Sequence, residues 1–155
     1  MLETHHDALR VLHEEEGHHK APTGIFGRFI TERKGAHRGQ LDVKRSGLIF
    51  MVEGVRILAL KNNLKATSTL KRISKLAEGG HIHNDDAEYF ESAYHVLLHL
   101  ALEAQIEKAA AGEKIDTFIS PSLLSRRDRE TLRHAFKAVS SLQDLVASEF
   151  GELVL

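Results

Sequence analysis

An all-α fold, an antiparallel helical bundle of four main helices with a short N-terminal helical cap, is predicted for this 155-residue chain. Three observations carry the prediction. Apolar residues recur every three or four positions in the long segments after residue 47. Capping residues precede those segments and glycines follow several of them. No apolar/polar alternation is long enough to demand a sheet.

The elements follow in order. Residues 1–20 read as an N-terminal helix or tail: Leu9 and Leu12 share helical spacing between Thr4 and Glu16, and Gly17, His18-His19 and Pro22-Thr23-Gly24 then break the pattern. Phe26, Phe29 and Ile30 supply an apolar cluster suited to cap the core. From Thr31 to Ser46 the chain is charged and punctuated by Gly35 and Gly39, which reads as a connection. The run from Leu48 to Val52 fits strand or helix, but its continuation through Val55, Arg56, Ala59 and Leu60 favours a buried helix ending near Asn62-Asn63. Thr67 or Ser68 caps the next helix, whose stripe is Leu70, Ile73, Leu76 and Ala77, and Gly79-Gly80 stops it.

The clearest helix runs from Asn84 or Asp85 to about Ala111. Its face is Ala87, Phe90, Ala93, Tyr94, Leu97, Leu98, Ala101 and Leu102, extended by Gln105, Ile106 and Ala109. Asp85-Asp86 at its start and Lys108 near its end suit the helix dipole. The last helix starts after Ser125, with Asp128 placed as a capping-box partner, and buries Leu132, Ala135, Phe136, Val139, Leu142, Leu145 and Val146. Four helical segments thus dominate residues 47–150.

Composition narrows the function classes. With no cysteine there are no disulfides, thiolate nucleophiles or sulfur-ligated metals. That absence, with a start (Met1-Leu2-Glu3-Thr4) lacking signal-peptide character, suggests a cytoplasmic setting. No apolar run reaches the roughly 18–20 residues that cross a bilayer, so no membrane partner is expected. A formal charge of -1, from 21 basic and 22 acidic residues, disfavours general nucleic-acid binding and leaves room only for a localised basic patch.

Two polar sets are candidates for substrate or anion binding. In the first, Asp42, Lys44 and Arg45 stand at the start of the first main helix, Arg56 lies on it, and Thr67, Ser68 and Arg72 surround the next helix start, where unpaired backbone N–H groups attract anions. In the second, Gln105, Asp116 and Arg129 cluster around the connection between the two long helices, with an Asp116–Arg129 pair as one way of tying it down. Both sets also fit plain capping and cross-linking. His81, His83 and Asp86, and the ladder Glu91, His95, His99 and Glu103, invite a metal reading, yet no His-Glu-x-x-His signature occurs and no metal site is assigned. No nucleophile elbow, phosphate loop or paired metal-binding carboxylates are found, so no catalytic residue is assigned.

The ordered series Gly24–Phe29, Gly39–Gly47, Val55–Leu60, Ala66–Arg72, Asp86-Ala87-Glu88, Ala93-Tyr94, Leu102–Gln105, Asp116–Pro121, Leu124-Ser125, Asp128-Arg129, Ala135-Phe136 and Leu142-Gln143 resembles the nucleotidyltransferase substrate-binding domain at the C-terminus of DUF294-type proteins. Those proteins often place CBS domains and a nucleotidyltransferase domain before it, and they are similar to the uridylyltransferases of PII signal transduction. The resemblance implies a non-catalytic accessory domain that acts with a separate or fused nucleotidyltransferase on a small-molecule or protein acceptor. Nucleotide and Mg2+ are then expected only in the catalytic partner, with no cofactor in this domain. Departures fall at His99 and Ala101, where the family is more basic, at Ala104, where histidine is frequent, and at Thr117, where asparagine is frequent. The resemblance covers residues 21–151 and assigns the bundle domain to them; about twenty residues precede the match, which implies an excised C-terminal domain or a stand-alone subunit, and a homo-oligomer stays open. Two other readings remain. Arg129 and His134 have the Arg-x-x-x-x-His spacing of HEPN ribonucleases, in which arginine steadies phosphate and histidine moves a proton. The bundle also suits a structural interaction module.

Overall fold

The computed structural model describes residues 28–151. Four helices build it: α1 (Ile49–Lys61), α2 (Thr69–Glu78), α3 (Asn84–Ala110) and α4 (Arg126–Gly151). The all-α bundle expected from periodicity is therefore present. The expected N-terminal helix, with Phe26 of the capping cluster, lies outside the described residues. Of that cluster, Phe29 meets Phe136 edge-on with ring centroids 6.1 Å apart, whereas Ile30 is 55% exposed.

Helix ends follow the sequence chemistry. Ser68 Oγ accepts the Lys71 N–H at 3.3 Å, which starts α2. Ser125 Oγ accepts the Asp128 N–H at 3.1 Å and donates its own proton to Asp128 Oδ2 at 2.6 Å, which starts α4. After α2 the chain turns at Gly80, whose φ of +69° glycine adopts without a Cβ penalty.

The core is a helix-on-helix seam. Phe90 and Leu97 of α3, Leu132, Phe136 and Leu142 of α4, and Met51 and Ile57 of α1 are almost completely buried, each contributing about 1.5–3 kcal/mol. α1 and α4 run in the same sense, as three heptad-spaced positions show. A Cβ on Gly47 would lie 2.8 Å from Phe136 Cε1, and one on Gly54 would lie 2.9 Å from Leu142 Cδ2. One turn pair further on, Lys61 Nζ pairs with the Glu149 carboxylate and donates to the Glu149 carbonyl oxygen at 2.8 Å. The two missing side chains let the helices approach closely. α3 runs opposite to α4, with Tyr89 Oη donating to the His134 carbonyl oxygen at 3.1 Å.

Two features depart from the sequence reading. The stretch Thr31–Ser46 is more than a connection: Leu41 and Val43 are fully buried, because β1 (Leu41–Asp42) pairs antiparallel with β2 (Phe118–Ile119) and pins them to the core. A single π-helical turn, Lys44–Leu48, then leads into α1. On α3 the buried positions stop at Ala104, and Leu102 and Ile106 are 47% and 67% exposed. That helix is apolar around more of its circumference than its neighbours cover. Among the described residues, no helix is long and apolar enough to cross a membrane.

Gly47→Ala gains about 1 kcal/mol of helix propensity but overpacks a site closed by two fully buried side chains, at a cost of about 1–3 kcal/mol. A net loss of ~1–2 kcal/mol is expected, read as a lower urea midpoint with unchanged slope. A midpoint at or above that of the wild type would contradict the close seam.

Candidate functional site

The two-stranded ladder at one end of the bundle gathers the polar groups. Asp42 Oδ1 accepts three hydrogen bonds: from the backbone N–H groups of Lys44 and Arg45, each at 3.1 Å, and from Thr117 Oγ1 at 2.5 Å. It thus caps the turn that starts α1 and also bonds to the residue just before β2. Val43 N–H completes the join by donating to the Thr117 carbonyl oxygen at 3.1 Å. Asp42 Oδ2 has no protein partner among the described residues.

Beside this join lies a second network. Lys108, in the last turn of α3, pairs with Asp116 and donates to the Phe118 carbonyl oxygen at 2.9 Å. Asp116 Oδ1 also accepts the Phe118 N–H at 3.0 Å, and Asp116 Oδ2 lies 3.7 Å from His37 Nε2. Burial alone would raise the Asp116 carboxyl. The Lys108 and Phe118 hydrogen bonds, with the charges of Lys108 and His37, outweigh it and hold the group below the usual aspartate range.

His37 belongs to a strap, residues 32–40, closed by backbone bonds from Glu32 N–H to Gln40 O and from Gly39 N–H to Glu32 O, both 2.8 Å. Gly35 and Gly39, at φ +80° and +79°, permit its turns. The His37 ring stacks on Phe118, with centroids 3.7 Å apart and planes within 5°, and Nδ1 is 2.8 Å from Gln40 Oε1. The strap is therefore anchored to β2 and, through Asp116, to the end of α3.

Between the strap and the ladder opens a cleft of about 500 Å³, lined by residues 30–34, Leu41, Asp42, Arg45, Ser46 and Phe118. On the other side of Phe118 a groove of about 340 Å³ runs between α3 and the segment from Phe118 to Leu124. Both volumes lie within the range of small-molecule sites, about 300–1,000 Å³.

The residues singled out by sequence divide between places. Asp42, Lys44, Arg45 and Asp116 share the ladder end. Thr67, Ser68 and Arg72 lie beyond the far end of α1, ~20 Å along its axis, where Arg72 Nε donates to the Ala66 carbonyl oxygen at 2.9 Å. Arg56 pairs with Glu53 on α1. Gln105 is half-buried on α3 and makes no side-chain hydrogen bond among the described residues. The Asp116–Arg129 pair is not formed: Lys108 and His37 hold Asp116, while Arg129 donates to the Leu124 carbonyl oxygen at 2.7 Å. His134 is exposed on α4.

Among the described residues, no three histidine or acidic side chains gather to hold a metal. His95 pairs with Glu91 at 3.7 Å and His99 with Glu103 at 3.1 Å, on the exposed face of α3. Sequence reasoning missed Lys108 as the Asp116 partner, since its place at a helix end already had a dipole explanation. It also missed His37, Arg33 and Lys34, which carry no motif.

Against known proteins, a family profile described as putative nucleotidyltransferase substrate binding domain, DUF294_C, matches residues 6–150. No curated protein and no solved structure matches the chain.

Because the Asp116 pKa is lowered on folding, the stability it confers is complete above its unfolded value, near pH 4, and is lost as pH falls through the lowered folded value. Asp116→Asn is expected to cost about 1–3 kcal/mol at pH 7, with the gap from wild type narrowing below about pH 4. Urea unfolding at pH 7 and pH 3 checks this. A gap that widens in acid would contradict the network.

Proposed function

The chain belongs to the nucleotidyltransferase substrate binding domain family, and on that premise we propose that it holds the acceptor substrate for a nucleotidyltransferase and does not transfer the nucleotide itself. Nucleotide and Mg2+ belong to the catalytic partner, a separate subunit or a fused domain. The acceptor, a small molecule or a group on a protein, enters the cleft between the strap and the ladder.

One observation carries the location. The cleft brings two charged residues of the family-like series, Asp42 and Arg45, to a concave surface with an aromatic wall, Phe118. Aromatic walls with a few placed polar groups are the usual make-up of small-ligand sites. The Lys108–Asp116–His37 network supports the reading by holding one wall in place before ligand arrives, which lowers the ordering cost of binding.

The test is labelled-nucleotide incorporation by the nucleotidyltransferase that co-purifies with the full chain, assayed with and without it. Added chain is expected to raise incorporation, and Arg45→Glu to reduce that gain by about tenfold, equivalent to ~1.4 kcal/mol. Incorporation unchanged by the chain would refute the accessory role.

A further inference from the structure

We propose that the ligand of this cleft is a small phosphorylated, hydroxyl-bearing molecule, with Arg33, Lys34 and Arg45 receiving the phosphoryl group. The inference rests on the substrate-binding reading above and names the substrate class of that site.

Charge comes first. The chain as a whole carries -1, yet residues 28–45 hold six lysines and arginines against two acids, Glu32 and Asp42. Three of those cations, and both acids, line the cleft. Arg33, Lys34 and Arg45 all line it, and among the described residues none of their side chains forms an ion pair or hydrogen bond. Like charges gathered without partners repel one another. A phosphoryl dianion relieves that repulsion and accepts charge-assisted bonds, bidentate ones from arginine in particular.

The remaining lining defines the rest of the ligand. Asp42 spends one carboxylate oxygen on the fold and keeps Oδ2 without a protein partner, so it is an acceptor for a ligand hydroxyl. The hydroxyls of Thr31 and Ser46 stand at the same surface. Glu32 and Asp42 beside the cations also argue against a bare electrostatic track for nucleic acid, which would meet their charge at every phosphate. The backbone beneath the cations is fixed: Arg33 and Lys34 sit at the root of a strap closed by two backbone bonds and clamped on Phe118, and Arg45 lies in the capped turn.

The phosphoryl group has two sources, a phosphomonoester acceptor or an acceptor that is itself a nucleotide, distinct from the one the catalytic partner transfers. Calorimetry and backbone NMR titrations of the full chain use glycerol 3-phosphate for the first, UTP for the second, glycerol as the neutral analogue and a single-stranded oligonucleotide as the polymer. Glycerol 3-phosphate or UTP is expected to bind, moving the amides of Thr31–Lys34 and Asp42–Ser46, and glycerol is not. The tighter of the two identifies the source. Arg33→Ala and Arg45→Ala each weaken binding by about tenfold, ~1.4 kcal/mol, without shifting the thermal midpoint, since neither side chain has a partner to lose. Glycerol binding as tightly as its phosphate, full affinity in both variants, no binding of either phosphate, or an oligonucleotide outbinding both with a steep salt dependence would each overturn the proposal. No transferase is present, so loss of the accessory role alone leaves these outcomes untouched.

Discussion

Asp42 Oδ1 is the atom on which the ladder end of the molecule depends. Its three hydrogen bonds join pieces of chain 75 residues apart in sequence: the turn that starts α1 and the residue preceding β2. A two-residue ladder has almost no stability of its own. What fixes it here is the capped turn on one side and the Lys108–Asp116 pair on the other, both rooted in long helices whose faces are buried. The bundle supplies the free energy, and the carboxylates turn it into a defined surface.

This division explains what the sequence disclosed. The helices were legible because each carries recurrent apolar positions and two carry a local side-chain cap, at Ser68 and Ser125. Gly47, by contrast, carries no local sign of its role, which is to let the start of α1 approach Phe136 and Leu97. The segment Thr31–Ser46 was misjudged because two buried residues, Leu41 and Val43, leave no periodic signal in so short a strand. The Asp116 partner was likewise invisible: Lys108 and His37 meet it across separate elements, and the nearer guess, Arg129, is occupied by the Leu124 carbonyl. Capping is a local property and can be read from neighbours. Pairing across a fold cannot.

The candidate residues illustrate the same point. Asp116 looks like a ligand-facing acid in sequence, yet its oxygens are taken by Lys108, the Phe118 N–H and His37, which makes it a positioning residue for the strap. Thr117, where the resembling family often has asparagine, supplies the hydroxyl that Asp42 accepts. The groups left over for a ligand are those with nothing else to bind: three cations and one carboxylate oxygen beside an aromatic ring. A near-neutral chain thereby presents three cations, without partners among the described residues, at one cleft.

The central claim is that the ladder and its two carboxylate networks form a rigid platform in the unliganded chain. Native-state hydrogen exchange tests it directly at the amides of Val43, Arg45 and Phe118, whose N–H groups are bound by Thr117 O, Asp42 Oδ1 and Asp116 Oδ1. The account predicts that they exchange with the core amides of α1, through global unfolding. Exchange at loop rates while α1 stays protected would show that the platform forms only when something binds to it.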